Sequence, residues 1–146
     1  MLKCQRIDQA VEPIAVYADL SAFKLYMGDV GLLTMKSGIS QQTVLSGEGN
    51  TFMGALTENY VAQQLAARGY PLYYWESRGT AELDFVLQKE NRIVGIEVKK
   101  GEHVRSRSLS VFRQAYHPEV VIRLSLKNFG EKDGLRSVPL YAAFCI

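Results

Sequence analysis

Cysteine is scarce in this 146-residue chain: Cys4 and Cys145 stand near opposite ends. Two such thiols build no disulfide framework, and no paired Cys/His spacing points to zinc. They read as buried or free thiols in a reducing cytoplasm. Histidine is equally sparse. His103 and His117 are isolated from any cysteine or serine constellation, so both are expected to be structural or solvent-facing. Long apolar runs are missing: none reaches the roughly 18 residues of a membrane span, and no signal-peptide pattern opens the chain. Neither G-x-x-x-x-G-K-[ST] nor G-x-G-x-x-G occurs, so this chain has no known phosphate loop with which to hold ATP. Internal repeats and low-complexity segments are also lacking.

Net charge is low as well, at +2, too small by itself to argue for nucleic acid. Its distribution says more. Residues 1–91 carry seven Lys/Arg and ten Asp/Glu, whereas residues 92–146 carry ten and five. Arg92, Lys99, Lys100, Arg105, Arg107 and Arg113 fall in the basic half, compatible with a phosphate-binding face or with solvated surface charge. The remaining composition, 47% hydrophobic and 22% charged, is that of a globular protein of one ordinary domain. A chain of this length buries roughly 70% of its unfolded surface, ample for an independent core.

Taken in order, residues 1–10 are mixed polar and read as an edge strand or a frayed start; they also read as a continuation of something longer. Glu12-Pro13 breaks any helix there. Residues 23–27 suggest a strand, and Asp29 can cap a short helix over 30–35 that Gly38 closes. Residues 40–50 are polar and glycine-bearing, hence a loop. The clearest helix runs over 51–68, with Asn50 or Thr51 as cap and Gly69 as stop. Tyr70-Pro71-Leu72-Tyr73-Tyr74-Trp75 reads as the first strand of a sheet, its aromatics either packing on a helix or stacking on bases. Ser77-Arg78-Gly79-Thr80 is a turn. Helical spacing returns at 106–116 through Leu109, Phe112, Arg113 and Tyr116, with Gln114 and Tyr116 able to approach a site or to be surface and core. Two closing strands are expected at 120–125 and 138–144.

The centre of the chain is the stretch 81–101. Its two flanks alternate with a period of two around a polar break at 88–92, which predicts an antiparallel hairpin. In the first strand Leu83, Phe85 and Leu87 are expected on one face, with Glu82, Asp84 and Val86 on the other. In the second, Ile96 and Val98 share one face and Glu97 and Lys99 the opposite one. Asp84, Glu97 and Lys99 can therefore meet on one surface. Magnesium is usually held through one or two carboxylates plus waters and phosphate oxygens. Asp84 and Glu97 supply carboxylates for it, and the Val98 carbonyl can add a ligand. Such an ion activates water and offsets charge developing at phosphorus. Lys99 can serve there as a charge or as a base, because lysine pKa values respond strongly to burial and neighbours.

Asp84, followed after twelve residues by Glu97-Val98-Lys99, resembles the D…(D/E)xK signature of the PD-(D/E)xK nuclease-like superfamily. The surrounding text is more specific. Phe23-Lys24-Leu25-Tyr26-Met27-Gly28-Asp29-Val30-Gly31-Leu32-Leu33, Gly54-Ala55-Leu56-Thr57-Glu58-Asn59, Tyr73-Tyr74-Trp75 and Glu82-Leu83-Asp84-Phe85-Val86 resemble one family. It is the domain of unknown function that follows the ATPase module in bacterial and archaeal AAA-type ATP-binding proteins, and the likeness spans about residues 17–146. The resemblance implies an α/β, restriction-endonuclease-like fold. In that fold a mixed sheet is flanked by helices, with residues 51–146 as the core and residues 1–50 as a small helical and strand extension packed on it. It further implies that Glu58, on the helix before the hairpin, joins the metal site, although an ordinary helical glutamate bonded to Asn59, Gln63 or a basic neighbour is the alternative.

Two functions remain open at this point. One is a magnesium- or manganese-dependent phosphodiesterase acting on DNA or RNA, with Asp84, Glu97 and Val98 on the metal, Lys99 at the phosphate and Glu58 auxiliary. The other is an accessory domain that binds nucleic acid or docks on its ATPase module without cutting; a purely structural cap is a weaker third option. Fold alone does not separate them. ATP binding would belong to the ATPase module, and no membrane association is expected.

Overall fold

A computed structural model describes residues 1–47, 51–77, 79–101 and 106–146. Its organising feature is a mixed sheet of eight strands in the order β2-β1-β3-β4-β5-β6-β8-β7. In chain order these are β1 (Leu2–Ile7), β2 (Ala18–Tyr26), β3 (Leu72–Ser77), β4 (Ala81–Lys89), β5 (Arg92–Val98), β6 (Val121–Ser125), β7 (Gly130–Lys132) and β8 (Leu135–Pro139). The helices are α1 (Val30–Ser37), α2 (Gln41–Ser46), α3 (Phe52–Ala67) and α4 (Arg107–Tyr116). Helices cover both faces. Val61, Ala62 and Leu65 of α3 bury against Phe85, Leu87, Ile96, Ile122 and Leu124. On the other face Leu109 and Phe112 of α4 bury against Trp75, Leu83, Val86 and Val121. Each such large apolar side chain contributes roughly 1.5–3 kcal/mol on burial. The fold is α/β, a mixed sheet flanked by helices, as the sequence predicts.

The short helix after β2 forms as its caps dictate. Asp29 accepts from the Leu32 N–H at 2.7 Å, and Gly38 ends α1 at φ 72°. The helix expected over 51–68 is α3. Thr51 precedes it without a side-chain capping bond, Gly69 follows at φ 82°, and Asn50 lies outside the described residues.

Several expectations are corrected. The start of the chain is no edge: β1 pairs antiparallel with β2 and parallel with β3, and buries Cys4 and Ile7 completely. Its polar residues hid this: Arg6 pairs with Asp19 at 2.5 Å. Tyr70–Trp75 therefore contributes the third strand of the chain, not the first. In place of a loop after Ser40, α2 forms, capped by the Ser40 hydroxyl on the Thr43 N–H and ended by Gly47 at φ 65°. The last expected strand stops at Pro139, and residues 140–145 turn into a 3-10 helix whose Ala142 and Ala143 bury beside α3. Ahead of it the unexpected β7 pairs with β8 across Asp133 and Gly134, both at positive φ.

The central hairpin forms with a two-residue loop, Glu90-Asn91 at φ 50° and 60°, tighter than the five-residue break suggested. The face assignments fail at the start of β4, for Glu82 and Leu83. Tyr73 opposes Val86 while Trp75 opposes Leu83, so Asp84 and Phe85 together face Tyr74 alone. This bulge re-aims β4. Leu83 turns with Val86 toward α4, whereas Phe85 and Leu87 face α3.

Candidate phosphate-binding site

The bulge also decides where Asp84 goes. Its side chain turns toward the adjacent strand, and Oδ2 accepts the Val98 backbone N–H at 2.7 Å. The N–H and carbonyl of one strand residue project to the same neighbour, so the Val98 carbonyl lies on the Asp84 side too. Burial raises the Asp84 carboxyl from the ordinary 3.8 to about 7. The Val98 N–H opposes that shift, Glu58 reinforces it, and Lys24 and Lys99 oppose it. Strong perturbation in a cluster of charges marks functional sites more often than it marks ordinary surface.

Glu97 points to the other side. Ile96 and Val98 flank it on the α3 face, so its carboxylate lies on the α4 face, 2% exposed. There Oε1 sits 3.2 Å from Lys99 Nζ and accepts the Ser106 hydroxyl, while Oε2 lies 3.4 Å from Arg123 Nε. Ser106 is at the same time the N-cap of α4, accepting the Leu109 N–H at 3.0 Å. Asp84 and Glu97 therefore do not share one surface as expected: Glu97 and Lys99 form an ion pair, and Asp84, turned to the other side, has Lys99 only as a charged neighbour.

Glu58 finds partners on β2. Its Oε1 accepts the Tyr26 hydroxyl and lies 3.1 Å from Lys24 Nζ, which also bonds Glu82. Burial works against the Lys24 charge, but the hydrogen bond to Glu82 and the charges of Glu58 and Glu82 outweigh it and raise its pKa. Burial followed by the Glu58 charge raises the Tyr26 hydroxyl as well. The two other polar partners weighed for Glu58 do different work: Asn59 bonds both backbone groups of Met27, and Gln63 accepts the Val30 N–H. Together they fasten α3 to the chain between β2 and α1.

Sequence reasoning missed Lys24, Tyr26, Glu82, Ser106 and Arg123. A signal existed for two of them: Arg123 is the one charge inside an apolar strand, and Lys24 stands between Phe23 and Leu25 in an alternating run. Among the described residues the basic side chains do not gather as one patch. Arg92 and Lys99 lie at opposite ends of β5, roughly 20 Å apart at ~3.3 Å per residue. Arg92 pairs with Glu119 at 3.2 Å, and Arg113 bonds the Asp133 carbonyl. Arg78, His103 and Arg105 fall outside the described residues. The aromatic row is core: Tyr73, Tyr74 and Trp75 are buried, and the Trp75 indole donates to the Tyr116 hydroxyl at 3.0 Å. Gln114 and His117 are exposed, His117 in the left-handed cap of α4. A cavity of about 340 Å³ lies at the far end of the hairpin, lined by Leu87, Arg92, Val94, Ile122 and Ile146, away from Asp84 and Glu97.

The donor set can be tested against a divalent ion. Both oxygens of Glu97 already face cations of the protein, Glu58 is committed to Lys24 and Tyr26, and Asp84 accepts a backbone N–H. No three His, Cys, Asp or Glu side chains gather where they could hold a metal among the described residues. In this arrangement the residues do not fit a bound magnesium or manganese ion. No helix among the described residues is long and apolar enough to cross a membrane.

Comparison with known proteins gives two relatives, an uncharacterized protein of Mycobacterium bovis and one of Mycobacterium tuberculosis. Each is 40% identical over 79 residues, which is 53% of this chain and 18% of the relative. The chain thus matches less than a fifth of the length of these relatives. No solved structure matches it significantly. A family described as "Domain of unknown function (DUF4143)" matches residues 53–143, and with more than half of its length so matched the chain belongs to that family.

Proposed function

We infer that this domain is a nuclease-like, nucleic-acid-binding module of a longer protein, in which the end of the β4–β5 hairpin receives a backbone phosphate. The observation that carries the reading is Lys99. It is half-exposed beside the buried Glu97 and is a charged neighbour of Asp84, whose carboxyl is raised to about 7. A mixed sheet with helices on both faces and an Asp…Glu-x-Lys hairpin at its centre supports the restriction-endonuclease-like likeness. The relatives' much greater length is what an accompanying ATPase module needs.

Of the two functions, binding without cleavage is favoured, because Glu97 and Glu58 are both held by protein cations. The test is fluorescence anisotropy of labelled DNA and RNA in EDTA and again with manganese, alongside a gel assay for cleavage. Saturable binding in EDTA that Lys99→Gln weakens, with no cleavage in either condition, is the expected outcome. Cleavage in manganese that Asp84→Ala abolishes would instead restore the phosphodiesterase reading, with the ion on Asp84, Glu97 and the Val98 carbonyl. Absence of binding to either nucleic acid would leave docking on the ATPase module.

A further inference from the structure

Glu97 and Arg123 stand opposite each other across the parallel β5–β6 ladder. Glu97 is 2% exposed, and the Arg123 side chain 11%. A buried carboxylate usually needs one cation to offset its charge. Glu97 has two, Lys99 Nζ at 3.2 Å and Arg123 Nε at 3.4 Å, so these three side chains together carry one surplus positive charge. The register of the backbone holds both cations in place. Lys99 N–H donates to the Leu124 carbonyl at 2.8 Å, which ties the end of β5 to the residue after Arg123.

The orientation of Arg123 matters more than its charge. The guanidinium meets Glu97 through Nε, while its two terminal nitrogens have no hydrogen-bond acceptor among the described residues. A guanidinium bound in this way keeps its forked edge for another oxyanion, and that fork matches phosphate geometry. Lys99, 38% exposed on its side chain, adds a point charge on the same carboxylate. Ser106 brings the N-terminus of α4 to the Glu97 carboxylate as well, where partial positive charge favours an anion.

We propose that Arg123 is the second phosphate-contacting residue of this site: Arg123 and Lys99 together hold one nucleic-acid phosphodiester, with Glu97 as their shared anchor and no divalent ion between them. The inference rests on the reading that nucleic acid meets this hairpin. It gives Glu97 a role opposite to that of a metal ligand. As an anchor, Glu97 competes with the incoming phosphate for both cations.

The experiment is anisotropy of a short fluorescein-labelled single-stranded DNA in EDTA over a salt series, using the whole chain. The variants are Lys99→Gln, Arg123→Gln, Glu97→Gln and the double variant Glu97→Gln/Arg123→Gln. The double variant removes both buried charges together, so it keeps the test valid if Arg123→Gln alone strands Glu97 and unfolds. Arg123→Gln is expected to weaken binding about 10- to 100-fold, the range for one charge-assisted hydrogen-bonding group. The slope of log affinity against log salt should fall by about one. Glu97→Gln should bind more tightly than the wild type, and the double variant should lose that gain with the same reduced slope. If the double variant, folded by circular dichroism, matches Glu97→Gln in affinity and slope while Lys99→Gln still weakens binding, Arg123 has no phosphate role although the site reading stands. If the wild type does not bind at all, both readings fall.

Discussion

Asp84 is a carboxyl whose protein environment favours the proton. Its folded-state pKa is raised from 3.8 to about 7, chiefly by burial. A group raised in this way supports the fold fully below its unfolded pKa and loses that support as pH climbs through its folded one. Asp84→Asn keeps an oxygen for the Val98 N–H but carries no charge. It should therefore change stability little near pH 4 and increase it above pH 7, by roughly 1–4 kcal/mol. Urea denaturation of both proteins at the two pH values checks this; an equal effect at both would mean that Asp84 titrates normally. Cys4 shows the same physics without a function attached. Burial pushes its thiol up to about 12, whereas Cys145 is exposed. A thiol reagent at pH 8 should modify Cys145 alone in the native protein and both cysteines in denaturant, since only a thiolate reacts. A short motif and its neighbours single out Asp84, Glu97, Lys99 and Glu58 in the sequence as candidates. Their partners were not legible there: Lys24 and Tyr26 reach Glu58 from 34 and 32 residues away, and Arg123 reaches Glu97 from 26.

The β4–β5 hairpin shows why alternation placed the residues of β5 and misplaced the start of β4. Period two holds in β5 from Val94 to Val98, and the expected faces for Ile96, Glu97 and Val98 are found. In β4 the bulge at Asp84 shifts the alternation by one residue. No composition cue announces it, because the sequence there contains neither glycine nor proline. A cue does exist on the partner strand. Gly95 pairs with Val86, and a Cβ placed on it would lie 2.6 Å from Leu83 Cδ2 and 2.7 Å from Phe112 Cε1. The glycine is therefore where α4 presses its ring onto the hairpin. Gly95→Ala should destabilise the protein by about 1–3 kcal/mol through overpacking, because Phe112 is fully buried and cannot retreat. Combining it with Phe112→Leu should recover part of that loss, a coupling that thermal denaturation of the single and double variants measures. Additive losses would show that the contact is not the cause. Lone prolines and serines carried the other surprises. Pro139 ends the last strand early, and Ser40 starts a helix in a stretch whose polarity suggested a loop.

The family match opens at residue 53, after β1 and β2, as though the first strands were outside the domain. The sheet argues otherwise. β1 lies between β2 and β3, and pairs in register from Cys4 against Leu72 to Ile7 against Trp75. Cys4 belongs to the apolar cluster under α3, and Ile7 to the one under α4, so one strand of six residues contributes to both faces. Without it, β3 becomes an edge carrying Tyr73, Tyr74 and Trp75, an apolar and unprotected edge of the kind that drives strand-to-strand association. Lys24 and Tyr26 would leave with β2, and Glu58 and Glu82 would lose their partners. We therefore expect a fragment of residues 51–146 to be insoluble or to lack a cooperative melting transition, whereas residues 1–146 unfold in a single one. Calorimetry on both decides the matter, and a soluble, cooperatively melting 51–146 fragment would establish the first 50 residues as a dispensable extension. The same comparison bears on the site. Glu58 meets the hairpin through Lys24, so the charge balance around Asp84 is set by strands that come before the family match begins.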